Sequence, residues 1–313
     1  MSAPPKSAAK ATSGPQRPER PQLNPTMACD TAFRLIARRC LEDLTANHAA
    51  TCRGDGVALH QMRVALTRLR TAISFFSPMF VDPQPARIRR ELKWLNAHLG
   101  AVRDLDVAIE RLGDQKTAAA TDIGSSTLGQ QARDGHRRLA RTLRSSRYRQ
   151  LVKGTSGWIE NGSWSTETGK QVARARAHPL AAYSARKLAR WQQKLLKRSH
   201  RLADMGTKKR HELRLRNKKL CYSVEFFENL FPGKDSSKQH AALKYLRKAQ
   251  KSLGQLNDDA RGHSLATTLK QGRIPTPLPL LGPKREKRLI RTAAAAYRKL
   301  AALKPAFAQA SQR

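Results

Sequence analysis

A helical pattern headed by histidine occurs twice in this chain, and it limits the fold more than any other feature. The first copy reads His60-Gln61-Met62-Arg63-Val64-Ala65-Leu66-Thr67-Arg68-Leu69-Arg70, and the second His211-Glu212-Leu213-Arg214-Leu215-Arg216-Asn217-Lys218-Lys219-Leu220. At about 100° per residue, His60, Arg63, Thr67 and Arg70 fall within an arc of roughly 80°. Met62, Leu66, Leu69, Ile73 and Phe76 fall opposite. In the second copy His211, Arg214 and Lys218 share one arc, while Leu213, Leu220, Val224 and Phe227 share the other. Each copy predicts a helix with one core face and one cationic strip. A solvated face explains one such strip, but gives no reason for repetition residue by residue.

The flanking elements repeat as well. A helix is expected over about 27–50, with Phe33, Ile36, Cys40 and Leu44 as its core stripe. Gly54-Asp55-Gly56 ends it and offers Asp55 as N-cap of the His60 helix, which Pro78 terminates. A third helix over about 85–112 carries Leu99-Gly100-Ala101-Val102-Arg103-Asp104. A basic helix follows, with Arg133, Arg137, Arg141 and Arg144 on one face, and it continues or restarts at Arg147. After an aperiodic stretch, a helix over about 180–205 carries Arg186, Arg190, Lys194, Lys197 and Arg201. Gly206-Thr207 precedes the His211 helix, with Thr207 as its expected cap. A helix over about 237–270 then repeats the glycine motif as Leu253-Gly254-Gln255-Leu256-Asn257-Asp258. The prolines at 275, 277, 279 and 283 predict a stiff loop before an alanine-rich last helix over about 284–303.

No stretch alternates like a strand, so the expected fold is all-α, with two pseudo-twofold-related four-helix bundles. The expected organisation is a disordered, proline-rich basic tail over 1–26 and one domain over 27–304. Its halves, 27–161 and 178–304, are joined by a linker over 162–177, and 305–313 form a C-terminal tail.

The charge then restricts the partner. The chain carries 61 Lys+Arg against 23 Asp+Glu, a formal net charge of +38, and such a surplus calls for a polyanion. DNA, RNA, an anionic membrane surface and inorganic polyphosphate are the candidates. Aromatic residues make up only 5% of the chain, which disfavours stacking on single-stranded bases. No apolar run approaches the roughly 18 residues of a membrane span, and no signal-peptide core is expected. Cys29, Cys40, Cys52 and Cys221 form no metal-ligand spacing, so buried free thiols, a cytoplasmic setting and no cofactor or metal are expected.

The histidine motif followed by L-G-x-x-[RN]-D, present twice, resembles the CHAD domain, the conserved histidine α-helical domain. The resemblance covers about 28–304. It implies two four-helix bundles around a basic groove, binding of inorganic polyphosphate, and residence on polyphosphate granules. Carried over residue by residue, it selects His60, Arg63, Arg68, Arg70, His211, Arg214, Lys218 and Lys219. Thr67 and Cys221 stand where the family has basic residues, so the two halves are expected to bind unequally.

The chemistry agrees with such a ligand. A condensed phosphate offers charge and acceptors but no base, and Arg supplies bidentate donors while Lys supplies a mobile charge. The basic stripes containing Arg137, Arg141, Arg190, Lys194, Lys197 and Arg201 extend the expected surface. The two histidines either protonate as phosphate binds or stay neutral and hydrogen-bonded to the preceding loop. Asp104 and Asp258 are read as partners that orient motif arginines, and Gly100 and Gly254 as points of close helix approach. Trp94, Trp158, Trp164 and Trp191 are read as core or interface. The expected protein is a binder and not an enzyme. The alternatives are a histone-like nucleic-acid binder, held by phosphate contacts alone, or a phosphotransferase or phosphatase acting on polyphosphate.

Overall fold

The computed structural model describes residues 21–80, 84–113, 127–231, 234–271 and 282–303. The fold is all-α. Its helices are α1 (Cys29–Ala46), α2 (His48–Cys52), α3 (Gly56–Phe75), α4 (Gln84–Gly113), α5 (Thr127–Arg144), α6 (Ser146–Asn161), α7 (Lys170–Ala177), α8 (Leu180–Ser199), α9 (Thr207–Phe226), α10 (Lys234–Gln271) and α11 (Pro283–Ala302).

The motif helices α3 and α9 sit centrally. The first packs on α1, α4 and α9, and the second on α8 and α10. Asp55 begins α3 as expected: its carboxylate accepts from the N–H of Val57 at 2.8 Å and of Ala58 at 3.0 Å. Leu59, Met62, Leu66 and Leu69 point into the core and are fully buried. The helix ends where Pro78 forces a 3-10 turn over Ser77–Met79. Thr207 does not cap α9. It is the first helical residue, and Gly206 holds the cap position with no side chain to offer.

One continuous core runs through both halves. Phe75 and Phe76 at the end of α3 meet Phe227 of the second half, and Tyr183 of α8 donates its hydroxyl to the Phe75 carbonyl at 2.8 Å. Trp158 and Trp164 pack edge-on against Phe33, fully buried, and Trp94 and Trp191 lie partly buried against the same core. All four tryptophans are thus structural.

Several elements depart from the sequence reading. The first helix stops at Ala46, because Asn47 leaves the helical register and α2 begins a new turn. The end of the expected tail, 21–26, is ordered: Leu23 packs on the core, and the carbonyls of Pro25 and Met27 accept from Ala181 and Leu180 at 3.0 and 2.8 Å. The expected linker holds a 3-10 turn over Ser163–Ser165 and helix α7. Its anchor is Trp164, whose indole donates to the Trp158 carbonyl at 2.8 Å. Gly162 permits that turn, since a Cβ there would stand 2.5 Å from both the Trp158 carbonyl and the Trp164 ring. Residues 1–20, most of the 113–126 loop, the 275–279 prolines and 305–313 lie outside the described residues. The four cysteines are free thiols, and Cys29, Cys40 and Cys221 are buried. No helix among the described residues is long and apolar enough to cross a membrane.

Candidate anion-binding site

Cations from both halves converge where α3 and α9 meet, flanked by α4 and α10. Arg63 of α3 places Nη1 4.0 Å from an Asp104 carboxylate oxygen and 3.4 Å from the Gly100 carbonyl, both on α4. Asp104 also pairs with Arg261 of α10. Two further contacts tie α4 to α10: Arg111 donates to the Asp258 carbonyl at 3.0 Å and pairs with Asp259 at 3.4 Å. Arg63 and Arg214 are half-buried, so each guanidinium is partly stripped of water.

The electrostatics show how crowded this junction is. Burial pushes the Lys218 ammonium down to about 8, and Arg214 and Arg63 push the same way against Asp258. Burial likewise lowers Arg63, reinforced by Arg261, Arg103 and Arg214 and opposed by Asp104. Arg214 is lowered by burial and Arg261, with Asp258 opposing. Its Nε is buried and has no hydrogen-bond partner among the described residues. His60 keeps an exposed edge, yet enclosure of its ring lowers its pKa, and Arg103, Lys218 and Arg63 add to the effect. Five basic side chains from α3, α4 and α9, with Arg261 of α10, thus share three carboxylates, Asp104, Asp258 and Glu110, the last paired with Arg103 at 2.7 Å.

The histidines are not equivalent. His211 Nδ1 is hydrogen-bonded to the Asn257 side-chain oxygen, which fixes Nδ1 as the protonated nitrogen and leaves Nε2 as the other ring position. In the first half the same motif position is Arg103, a cation that repels a protonated His60. The two substituted positions are absorbed into the structure. Thr67 donates its hydroxyl to the Arg63 carbonyl at 2.8 Å, and Cys221 is buried against Asn217.

The remaining expected residues divide. Arg70 and Lys219 form a second patch: burial lowers both, and Arg70, Arg216 and Arg89 act on Lys219. Arg68 belongs to the frame. It pairs with Glu225 at 3.1 Å and lies over the Phe226 ring at 5.1 Å, joining α3 to α9. Arg190 and Lys194 act on Lys187 of their own helix, and with Lys197 and Arg201 they are exposed along α8 and its end. The charges recorded on the central group come instead from α3, α4, α9 and α10. Arg137 and Arg141 line a separate depression between α2 and α5. Sequence reasoning missed Arg103 and Arg261; Arg103 stands inside the second motif, but Arg261 carries no motif signal.

The glycine reading is overturned. A Cβ on Gly100 or Gly254 would meet nothing within 4 Å, so neither marks a close helix approach. Asp104 does pair with Arg63, as expected, whereas Asp258 acts on Arg214 through space and accepts from Asn257 at 3.3 Å. No group of three or more His, Cys, Asp or Glu is arranged to hold a metal ion among the described residues.

Comparison with known proteins accords with this architecture. The crystal structure of the CHAD domain from the plant Ricinus communis superposes with a TM-score of 0.69 at 26% identity, covering 93% of each chain. PptA from Streptomyces chartreusis shares the fold, with a TM-score of 0.54 at 16% identity over 92% of this chain and all of that one. No curated protein matches the sequence. Residues 35–267, including both histidine motifs and both glycine motifs, match the CHAD domain, and the chain belongs to that family.

Proposed function

We propose that this protein binds inorganic polyphosphate at the α3–α9 junction, performs no reaction on it, and resides on polyphosphate granules. The observation that carries the reading is the convergence of Arg63, Arg214 and Lys218 from both halves at one recessed junction, where Asp258 acts on Lys218 only through space and no carboxylate forms an ion pair with it among the described residues. A phosphate chain would supply that ion pair and an acceptor for the buried Arg214 Nε. The site is recessed as well as basic. Only 23% of the Arg63 side chain is exposed, so a thin unbranched polyanion reaches it more easily than a duplex does. Family membership supports the same reading through the polyphosphate binding that the resemblance implies.

The test is competition. Labelled long-chain polyphosphate should stay bound when DNA is added in excess of phosphate. Displacement by DNA at physiological salt would favour the histone-like reading. Phosphate release with added divalent metal would favour an enzyme.

A further inference from the structure

The depression between α2 and α5 is lined by Arg53 and by Arg137, Arg138, Arg141 and Arg144, with Asp134 and His136 among them. Arg137, Arg141 and Arg144 fall at i, i+4 and i+7, along one stripe of α5, and Arg138 stands about 100° to one side. Arg137 pairs with Asp134 of its own helix. Asp134 also acts on Arg138 through space, and no carboxylate forms an ion pair with Arg53, Arg141 or Arg144 among the described residues. Other surface arginines of this chain do find one: Arg38 holds Glu160 and Arg147 holds Glu91, each through two hydrogen bonds.

His136 and Asp106 form the floor of the depression and leave any phosphate contact to the arginines. The His136 Nε2 contacts the Asp106 carboxylate at 2.8 Å. Its Nδ1 and the other Asp106 oxygen are buried without a hydrogen-bond partner. The Nδ1 lies under Gly54, 4.0 Å from where a Cβ would stand, and Gly54 adopts φ +91°, which other residues rarely take. Asp55, which follows Gly54, is committed to capping α3. At the rim of the depression five arginines thus face one carboxylate, Asp134, beside a lip at Gly54 kept bare of side chain.

We propose that this depression is a second phosphate site, an outer subsite for the same polyanion, and this rests on the function proposed above. Gly54 lies beyond the start of α3, and the helical stretch from Gly56 to Arg63 alone spans seven residues, about 10 Å at 1.5 Å per residue, with His60 between them. Tripolyphosphate is shorter than that separation and occupies the two sites independently. A long chain occupies both at once, and its second contact is then intramolecular.

Calorimetric titration of the full chain with tripolyphosphate and with long-chain polyphosphate tests the proposal. The variants are Arg138→Gln/Arg141→Gln/Arg144→Gln in the outer site and Arg214→Gln/Lys218→Met in the central one. All three outer positions are exposed, so the fold is expected to persist, and the single variant Arg141→Glu provides a milder check. Wild type should take up two tripolyphosphates and each multiple variant one. The outer variant should also lose at least about tenfold in long-chain affinity. An outer variant that keeps every site of the wild type, or its full long-chain affinity, would overturn the proposal. If the central variant binds like wild type while the outer variant loses a site, the outer subsite stands and the central reading falls.

Discussion

Replacing Lys218 by methionine should stabilise the free protein while weakening it as a binder. The folded chain holds this ammonium at about 8 against an ordinary 10.5, so charging it opposes folding. The sign follows from linkage: a lysine depressed in the folded state costs stability at all pH below about 8. That cost fades as pH rises toward 10.5, where the unfolded chain also loses the proton. The shift corresponds to a ceiling of about 3 kcal/mol at pH 7. Methionine preserves most of the stem packing but loses the contact of the ammonium with the Tyr222 ring, 5.6 Å to its centroid, so a gain of about 1–2 kcal/mol is expected. Binding should fall about tenfold to a hundredfold, the worth of one charge-assisted hydrogen bond. Urea denaturation at pH 7 and near pH 10, with polyphosphate titration at pH 7, reads all three quantities. The stability gain should be largest at pH 7 and shrink near pH 10. A variant that is less stable at pH 7, or whose difference from wild type ignores pH, would refute the reasoning and make Lys218 a structural cation.

Three further outcomes are expected. Changing Arg63 and Arg214 together to Ala should weaken polyphosphate binding tenfold to a thousandfold on the scale of about 1.5–3 kcal/mol per charged contact, far more than deleting residues 1–20, with helicity by circular dichroism retained. The logarithm of the association constant should fall steeply and linearly with the logarithm of salt concentration, whereas a flat response up to about 0.5 M would indicate a ligand held by neutral hydrogen bonds. Arg68→Ala should cost about 2 kcal/mol in denaturant unfolding, because Glu225 loses a partner, yet change polyphosphate affinity by less than about twofold.

The sequence revealed the elements better than their mutual facing. Asp55 was legible as a cap because the Gly-Asp-Gly break offers few other choices. Thr207 stood in the same relation to its break, but the helix starts one residue earlier and leaves it inside the first turn. Helical periodicity assigned the α8 cations to one stripe, yet period alone does not say whether a stripe faces a groove or solvent. Arg68 is instructive: eight residues at about 100° put it roughly 80° from His60, on the side away from Arg63 and Arg70. The arc already separated it from the cationic strip, and the structure uses it to hold α9. Arg261 was illegible for another reason. It reaches the junction only because two long helices from different halves, α4 and α10, meet there, which is a tertiary fact.

The α3–α9 seam has a consequence for how this protein behaves as a polyelectrolyte. Arg63 and Lys218 repel each other across the boundary between halves, and burial denies them full screening by water. The halves are therefore held together by the shared apolar core and by the Arg68–Glu225, Arg261–Asp104 and Arg111–Asp259 pairs, against the repulsion of these central cations. Modest salt should tighten the free protein, in contrast to its effect on the loaded one. A bound polyanion serves as counter-ion to the seam, so melting temperature should rise with its concentration although no new protein–protein contact forms.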